Sequence, residues 1–140
     1  MSDTGPPPLE RLRKRADFLA AAKAFACARG AVLVQVRDRG DETAVVRIGF
    51  TATRRIGGAV QRNRAKRRLR EVARATFPGL AKPGCDYVLI ARGGAVSRPW
   101  PRLLDDVKSA LIRLAADLGA SQTETSPGEA STPRPAQQPA

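Results

Sequence analysis

Nine cationic side chains, Arg54, Arg55, Arg62, Arg64, Lys66, Arg67, Arg68, Arg70 and Arg74, stand between positions 54 and 74 against one acid, Glu71. The chemistry open to them is anion binding: a guanidinium fork engages phosphate through two parallel hydrogen bonds and also stacks on an exposed base. Asn63, between Arg62 and Arg64, adds an amide that can donate to and accept from a base edge or a ribose hydroxyl. On a helical wheel at roughly 100° per residue, Ala65, Leu69, Val72, Ala73 and Thr76 fall on one arc, while Lys66, Arg67, Arg70 and Arg74 lie beside and opposite it. A helix here would bury one side and turn the other to phosphates. The plainer alternative is a charged helix face that only meets water.

The whole chain leans the same way. Its 140 residues carry 25 Lys and Arg against 13 Asp and Glu, a net charge of +12, which exceeds what solubility requires and points to a polyanionic partner. There is no histidine, so Ser-His and Cys-His nucleophilic sites and His-ligated metal sites are excluded, and the usual acid–base residue near neutral pH is missing. Cys27 and Cys85 stand far apart without metal-ligand spacing and read as small buried residues. No metal site is expected, and a self-sufficient enzyme is disfavoured. No apolar run approaches the roughly 20 residues that cross a bilayer, and the start of the chain lacks a signal-peptide core, so a cytoplasmic protein is expected.

The elements that must position the arginines follow from periodicity. Residues 1–8, with Gly5 and three successive prolines, read as an unstructured lead-in. A basic stretch from Leu9 to Arg15 precedes a predicted first helix over 16–28, ended by Gly30. Val32, Val34 and Val36 alternate as in a strand, and Asp38-Arg39-Gly40-Asp41 predicts a hairpin turn to a further β segment over 44–53, either one bent strand or two. The long central helix is predicted from Ala59 to Thr76, stopped by Phe77-Pro78-Gly79. A buried strand should run from Asp86 to Arg92. A final helix after Pro99-Trp100-Pro101 carries Leu103, Leu104, Val107, Leu111, Leu114 and Leu118 on one stripe, with Gly119 as its cap. The rest, 120–140, is polar and without period, and is expected to be disordered. One folded domain over 9–119 results.

The runs Arg47-Ile48-Gly49-Phe50 and Arg54-Arg55-Ile56-Gly57-Gly58-Ala59-Val60-Gln61-Arg62-Asn63-Arg64-Ala65-Lys66-Arg67-Arg68-Leu69-Arg70 resemble the most characteristic region of the bacterial ribonuclease P protein family. The likeness extends to Arg11–Arg15 with Asp17-Phe18, to Asp86–Arg92 and to the last helix, covering about residues 9–118. It implies a compact α+β domain in the order α-β-β-β-α-β-α, with a mixed sheet and a left-handed βαβ crossover through the arginine-rich helix, against the general handedness rule.

The resemblance also implies partners and roles. Arg62, Asn63, Arg64, Lys66, Arg67 and Arg70, with the pair Arg54 and Arg55, would contact a catalytic RNA subunit, one protein to one RNA. A cleft between the first helix and the sheet would receive the single-stranded 5′ leader of precursor tRNA, with Thr51 and Arg92 along it. Phe18 would either stack on a leader base or serve as an ordinary core residue. Ala22 and Val34 occupy positions where relatives often place Phe and Tyr, so leader affinity should lean on arginines and backbone shape. The implied reaction is hydrolysis of one phosphodiester bond, with Mg2+ held by RNA and substrate and no catalytic residue in this chain. The rival readings are a ribosomal or general RNA-binding protein and a membrane-surface module, the latter weakened because Leu69 and Val72 are the largest apolar residues on the helix.

Overall fold

The computed structural model describes residues 8–123. Five strands, three α-helices and one 3-10 turn run in the order β1 (Leu9–Arg11), α1 (Arg15–Ala22), β2 (Phe25–Arg29), β3 (Val32–Asp38), β4 (Val46–Ala52), the 3-10 turn Arg54–Ile56, α2 (Ala59–Leu80), β5 (Cys85–Ala91) and α3 (Trp100–Thr123). The expected α-β-β-β-α-β-α order therefore holds, preceded by one short strand. The strands form a single mixed sheet ordered β1-β4-β5-β3-β2, in which β4 pairs parallel with both β1 and β5, while β3 is antiparallel to β5 and β2.

Alternation decides which side of the sheet each helix covers. Val32, Val34, Val36, Val46, Ile48, Tyr87 and Leu89 point to one face and are buried under Leu69, Val72 and Phe77 of α2 and Leu103, Val107, Leu111 and Leu114 of α3. Phe77 meets Tyr87 edge to face with ring centres 5.0 Å apart. The buried Tyr87 hydroxyl accepts the Lys82 N–H at 2.9 Å, which satisfies its polar end. Among the described residues the opposite face carries only α1, through a small cluster of Leu12, Ala21 and Val88 joined by Phe18 and Ile90.

Several expectations change. Residues 25–29, placed at the end of the first helix, form β2, because Phe25 and Cys27 alternate inward and pair with Val36 and Val34. The helix-favouring Ala26 and Ala28 yield to that pairing. The predicted hairpin at 38–41 does not form, since β5 lies between β3 and β4; the hairpin is β2–β3, turning at Gly30 with φ +53. A Cβ at Gly30 would collide with the Asp106 carboxylate, which accepts the Ala31 N–H at 3.2 Å and the Arg98 guanidinium at 2.9 Å twice. Residues 46–52 are one strand. Helix α2 passes through Pro78 to Leu80, because in the last turn proline forfeits a single backbone bond. Helix α3 passes Gly119 and reaches Thr123, so the domain exceeds the predicted boundary. The disorder expected of residues 1–7 and 124–140 lies outside the described residues.

Candidate nucleic-acid interface

Helix α2 buries Ala65, Leu69, Val72, Ala73, Thr76 and Phe77, so the arc read from the wheel is the one that packs. The cations then divide by position. Asn63, Arg64 and Arg67 are exposed, Lys66 and Arg70 are half-buried at the margin, and among the described residues none of these five side chains makes an ion pair or a side-chain hydrogen bond. Arg74 pairs with Glu71 at 3.2 Å on the surface. Arg62 reaches back to the Gly57 carbonyl at 2.8 Å and steadies the turn where Gly57, at φ +138, admits the chain into the helix. Arg68 is committed elsewhere: its Nη1 donates to the Ala95 and Val96 carbonyls at 2.7 and 2.9 Å, and its guanidinium lies 5.9 Å from the centre of the Trp100 ring. Sequence reasoning counted Arg68 with the basic run but had no signal for this tie to α3.

The first turn of α2 contains no acid, and Gly58 offers no side-chain cap. Its unpaired N–H groups and the positive end of the helix dipole therefore add to the field of the neighbouring arginines. Arg54 and Arg55 are exposed on the 3-10 turn leading into it. Arg92 follows the end of β5, and Thr51 is paired with Ile90 near the end of β4, so Thr51, Arg54, Arg55, Arg92 and the start of α2 share one rim at the C-terminal ends of two parallel strands.

On the α1 face, Phe18 lies half-buried against Gly49, where an added Cβ would drive into its ring. It belongs to the small cluster of Leu12, Ala21 and Val88 and keeps part of its ring in solvent. Val34 is not available to that face: it is buried under the other two helices. The β3 residues that alternate toward α1 are Leu33 and Gln35, which the sequence reading passed over although strict alternation with Val32, Val34 and Val36 marks them. Ala22 is exposed at the end of α1.

Below Phe18, acids and arginines neutralise one another. Asp86, with no solvent exposure, accepts Arg47 at 2.8 Å through both nitrogens, Arg39 at 2.8 Å and Arg37 at 3.1 Å. Burial pushes its carboxyl up, but these three guanidinium groups outweigh that and leave its pKa below the ordinary value. Asp17 of α1 joins the same arginines at 3.4 and 3.6 Å. Arg39 also holds Asp41 at about 2. Burial raises both thiols, Cys85 to about 11. No three Cys, Asp or Glu side chains converge as a metal cage among the described residues, nor is any described helix long and apolar enough to cross a membrane. What the surface can do chemically is hold anions.

Comparison with known proteins gives the same direction. A family model described as Ribonuclease P matches residues 7–115. The ribonuclease P protein component of Caulobacter vibrioides is 65% identical over 117 residues, covering 84% of this chain and 78% of that one, and that of Ruegeria pomeroyi is 51% identical over 107 residues, covering 75% and 86%. Among solved structures, the RNase P protein from Thermotoga maritima is 29% identical with a TM-score of 0.62, covering 74% of this chain and 96% of that one. The Staphylococcus aureus RNase P protein, at 24% identity and a TM-score of 0.61 over 75% and 94%, shares the fold. With the match spanning nearly the whole described domain and the arginine-rich helix at its centre, the chain belongs to the ribonuclease P protein family.

Proposed function

We propose that this chain is the protein subunit of a ribonuclease P ribonucleoprotein, binding its RNA subunit and promoting endonucleolytic removal of the 5′ leader from precursor tRNA. One observation carries the reading: Asn63, Arg64, Lys66, Arg67 and Arg70 lie along α2 without a protein partner among the described residues, whereas Asp17, Asp86 and Asp106 are locked to other arginines. Uncompensated cations on a rigid helix are a phosphate-binding surface. Arg54, Arg55 and Arg62 extend it around the start of the helix. On the α1 face Phe18 would supply one half-buried ring for stacking, and Thr51 and Arg92, at the C-terminal ends of β4 and β5, would line the path of a single strand.

In this reading the chain contributes position and electrostatics rather than proton transfer. It has no histidine, its thiols are held neutral, and its buried carboxylates serve as counter-ions. Magnesium, assigned to the RNA and substrate, supplies Lewis acidity and an activated water when bound. The α2 surface screens repulsion between the phosphates of RNA and substrate, and the α1 face fixes the leader relative to the bond to be cut. One protein per RNA and a cytoplasmic place of action accord with this role.

The test replaces Arg62, Asn63 and Arg64 together by Ala and measures precursor cleavage with the matching RNA at low magnesium. The variant should lose most of the stimulation given by the wild-type chain while keeping its circular dichroism, with only the small drop in thermal midpoint that loss of the Arg62 bond to the Gly57 carbonyl brings. Undiminished stimulation would remove these residues from the interface, and failure of the wild-type chain to stimulate would return it to the general RNA-binding proteins.

A further inference from the structure

The start of the basic stretch, around Arg11, belongs to neither the α2 surface nor the α1 face, yet the fold turns it into β1, the edge strand beside β4. We infer that β1 is a second RNA-contacting element, in which Arg11 carries the basic flank of α2 across the edge of the sheet onto the sugar–phosphate backbone of the RNA subunit. The inference rests on the assignment of α2 to that RNA.

Alternation fixes the side on which Arg11 stands. Leu12 is buried with Ala21 and Val88 on the α1 face, and Glu10 borders a shallow depression of about 230 Å³ with Arg39 and Arg47 on that same face. Leu9 and Arg11 therefore point to the other face, the one α2 covers. Arg11 is in register with Ile48, a core residue beneath that helix.

The sheet order then sets the neighbour. Arg68 marks the flank of α2 that faces α3, through its bonds to Ala95 and Val96. Helix α3 packs over the β2–β3 side of the sheet, and β1 lies beyond β4 at the opposite edge. On the wheel, Lys66 and Arg70 occupy the flank away from Arg68 and so lean toward β1. Tyr87 is in register with Ile48 and touches Phe77, which places Arg11 level with the C-terminal half of α2, the half that carries Arg70 and Arg74.

The backbone supplies a further donor. Val46 N–H bonds to the Pro8 carbonyl and Leu12 N–H to the Ile48 carbonyl, both at 2.9 Å. Residues 8 and 12 thus turn their backbone groups inward, and the intervening odd residues turn theirs to the open edge, which no other strand covers among the described residues. Arg11 offers a guanidinium and an edge N–H together, both ordinary phosphate donors. It is exposed and makes no ion pair among the described residues. Glu10, the acid next to it, is on the other face. An arginine that only guarded the edge against strand addition would be indifferent to RNA, and this difference is measurable.

Full-length Arg11→Gln is titrated with the RNA subunit alone and, separately, with precursor tRNA alone, across a salt series. Affinity for the RNA subunit should fall about three- to tenfold, and the slope of log K against log salt should shrink by about 0.7–0.9, the contribution of one phosphate contact. Arg11→Lys should keep the slope, and Glu10→Gln should leave affinity undiminished. An unchanged slope in Arg11→Gln alongside weakened binding by the Arg62/Asn63/Arg64 alanine variant overturns the role of β1 alone. A loss confined to the precursor arm also overturns it by moving the contact to the substrate. Normal binding by the alanine variant itself would instead defeat the assignment of α2.

Discussion

Asp86 holds together the ends of three strands. Arg37 and Arg47 are its direct neighbours in the register on either side, so the three residues form one row across the sheet, with Arg39 closing over the carboxylate. Removing a buried charge from such a group leaves its partners uncompensated. Asp86→Ala should cost about 3–5 kcal/mol, read as a lower urea midpoint. Because its pKa is below the unfolded value of about 3.9, the stability it contributes is present at neutral pH and lost as the pH falls through the folded value. Urea midpoints should therefore be level between pH 7 and pH 5 and drop below about pH 4, and the drop should be smaller in the Ala variant. A pH profile identical in the two proteins would deny Asp86 this part. In the sequence Asp86 is only the first residue of a buried strand; nothing local announces that arginines 39 and 49 residues away will flank it.

Helix α2 shows how far an element can be read in advance. Its buried arc and its basic flank follow from a period of 3.6 residues, and both are as expected because one helix can satisfy core and solvent at once. The division of labour within the basic run does not follow from period. Arg68 is a strut to the loop before α3, so Arg68→Ala should lower stability by about 1–3 kcal/mol and alter the emission of Trp100, the single tryptophan. Arg67 has no side-chain partner among the described residues, so Arg67→Ala should leave both unchanged and instead weaken RNA binding. If Arg67→Ala moves the Trp100 emission and Arg68→Ala does not, the two roles are reversed. The first helix was drawn too long because alanine and its neighbours from 16 to 28 favour a helix locally. Pairing with β3 gave Phe25–Arg29 hydrogen bonds and burial that a continued helix would not have had.

For the molecule as a whole, a net charge of +12 on a small domain opposes compaction. A ligand that neutralises the α2 flank should both bind and stabilise: polyphosphate at a hundred times its dissociation constant adds about 2.7 kcal/mol. Its thermal midpoint should rise well above that in sodium chloride of matched ionic strength, and equal midpoints would mean that the charge is diffuse rather than gathered into a site. Composition, the absence of histidine and the spacing of arginines and apolar residues by themselves determined a basic domain suited to a polyanion, with a two-sided central helix, because charge balance and periodicity are properties of neighbours along the chain; the α+β class came from the resemblance to a family. Only the tertiary structure decided that β5 enters between β3 and β4, that residues 25–29 leave the helix, and that residues 9–11 become an edge strand beside β4. Those outcomes depend on pairings between residues tens of positions apart, where hydrogen bonds and a shared core outweigh local preference.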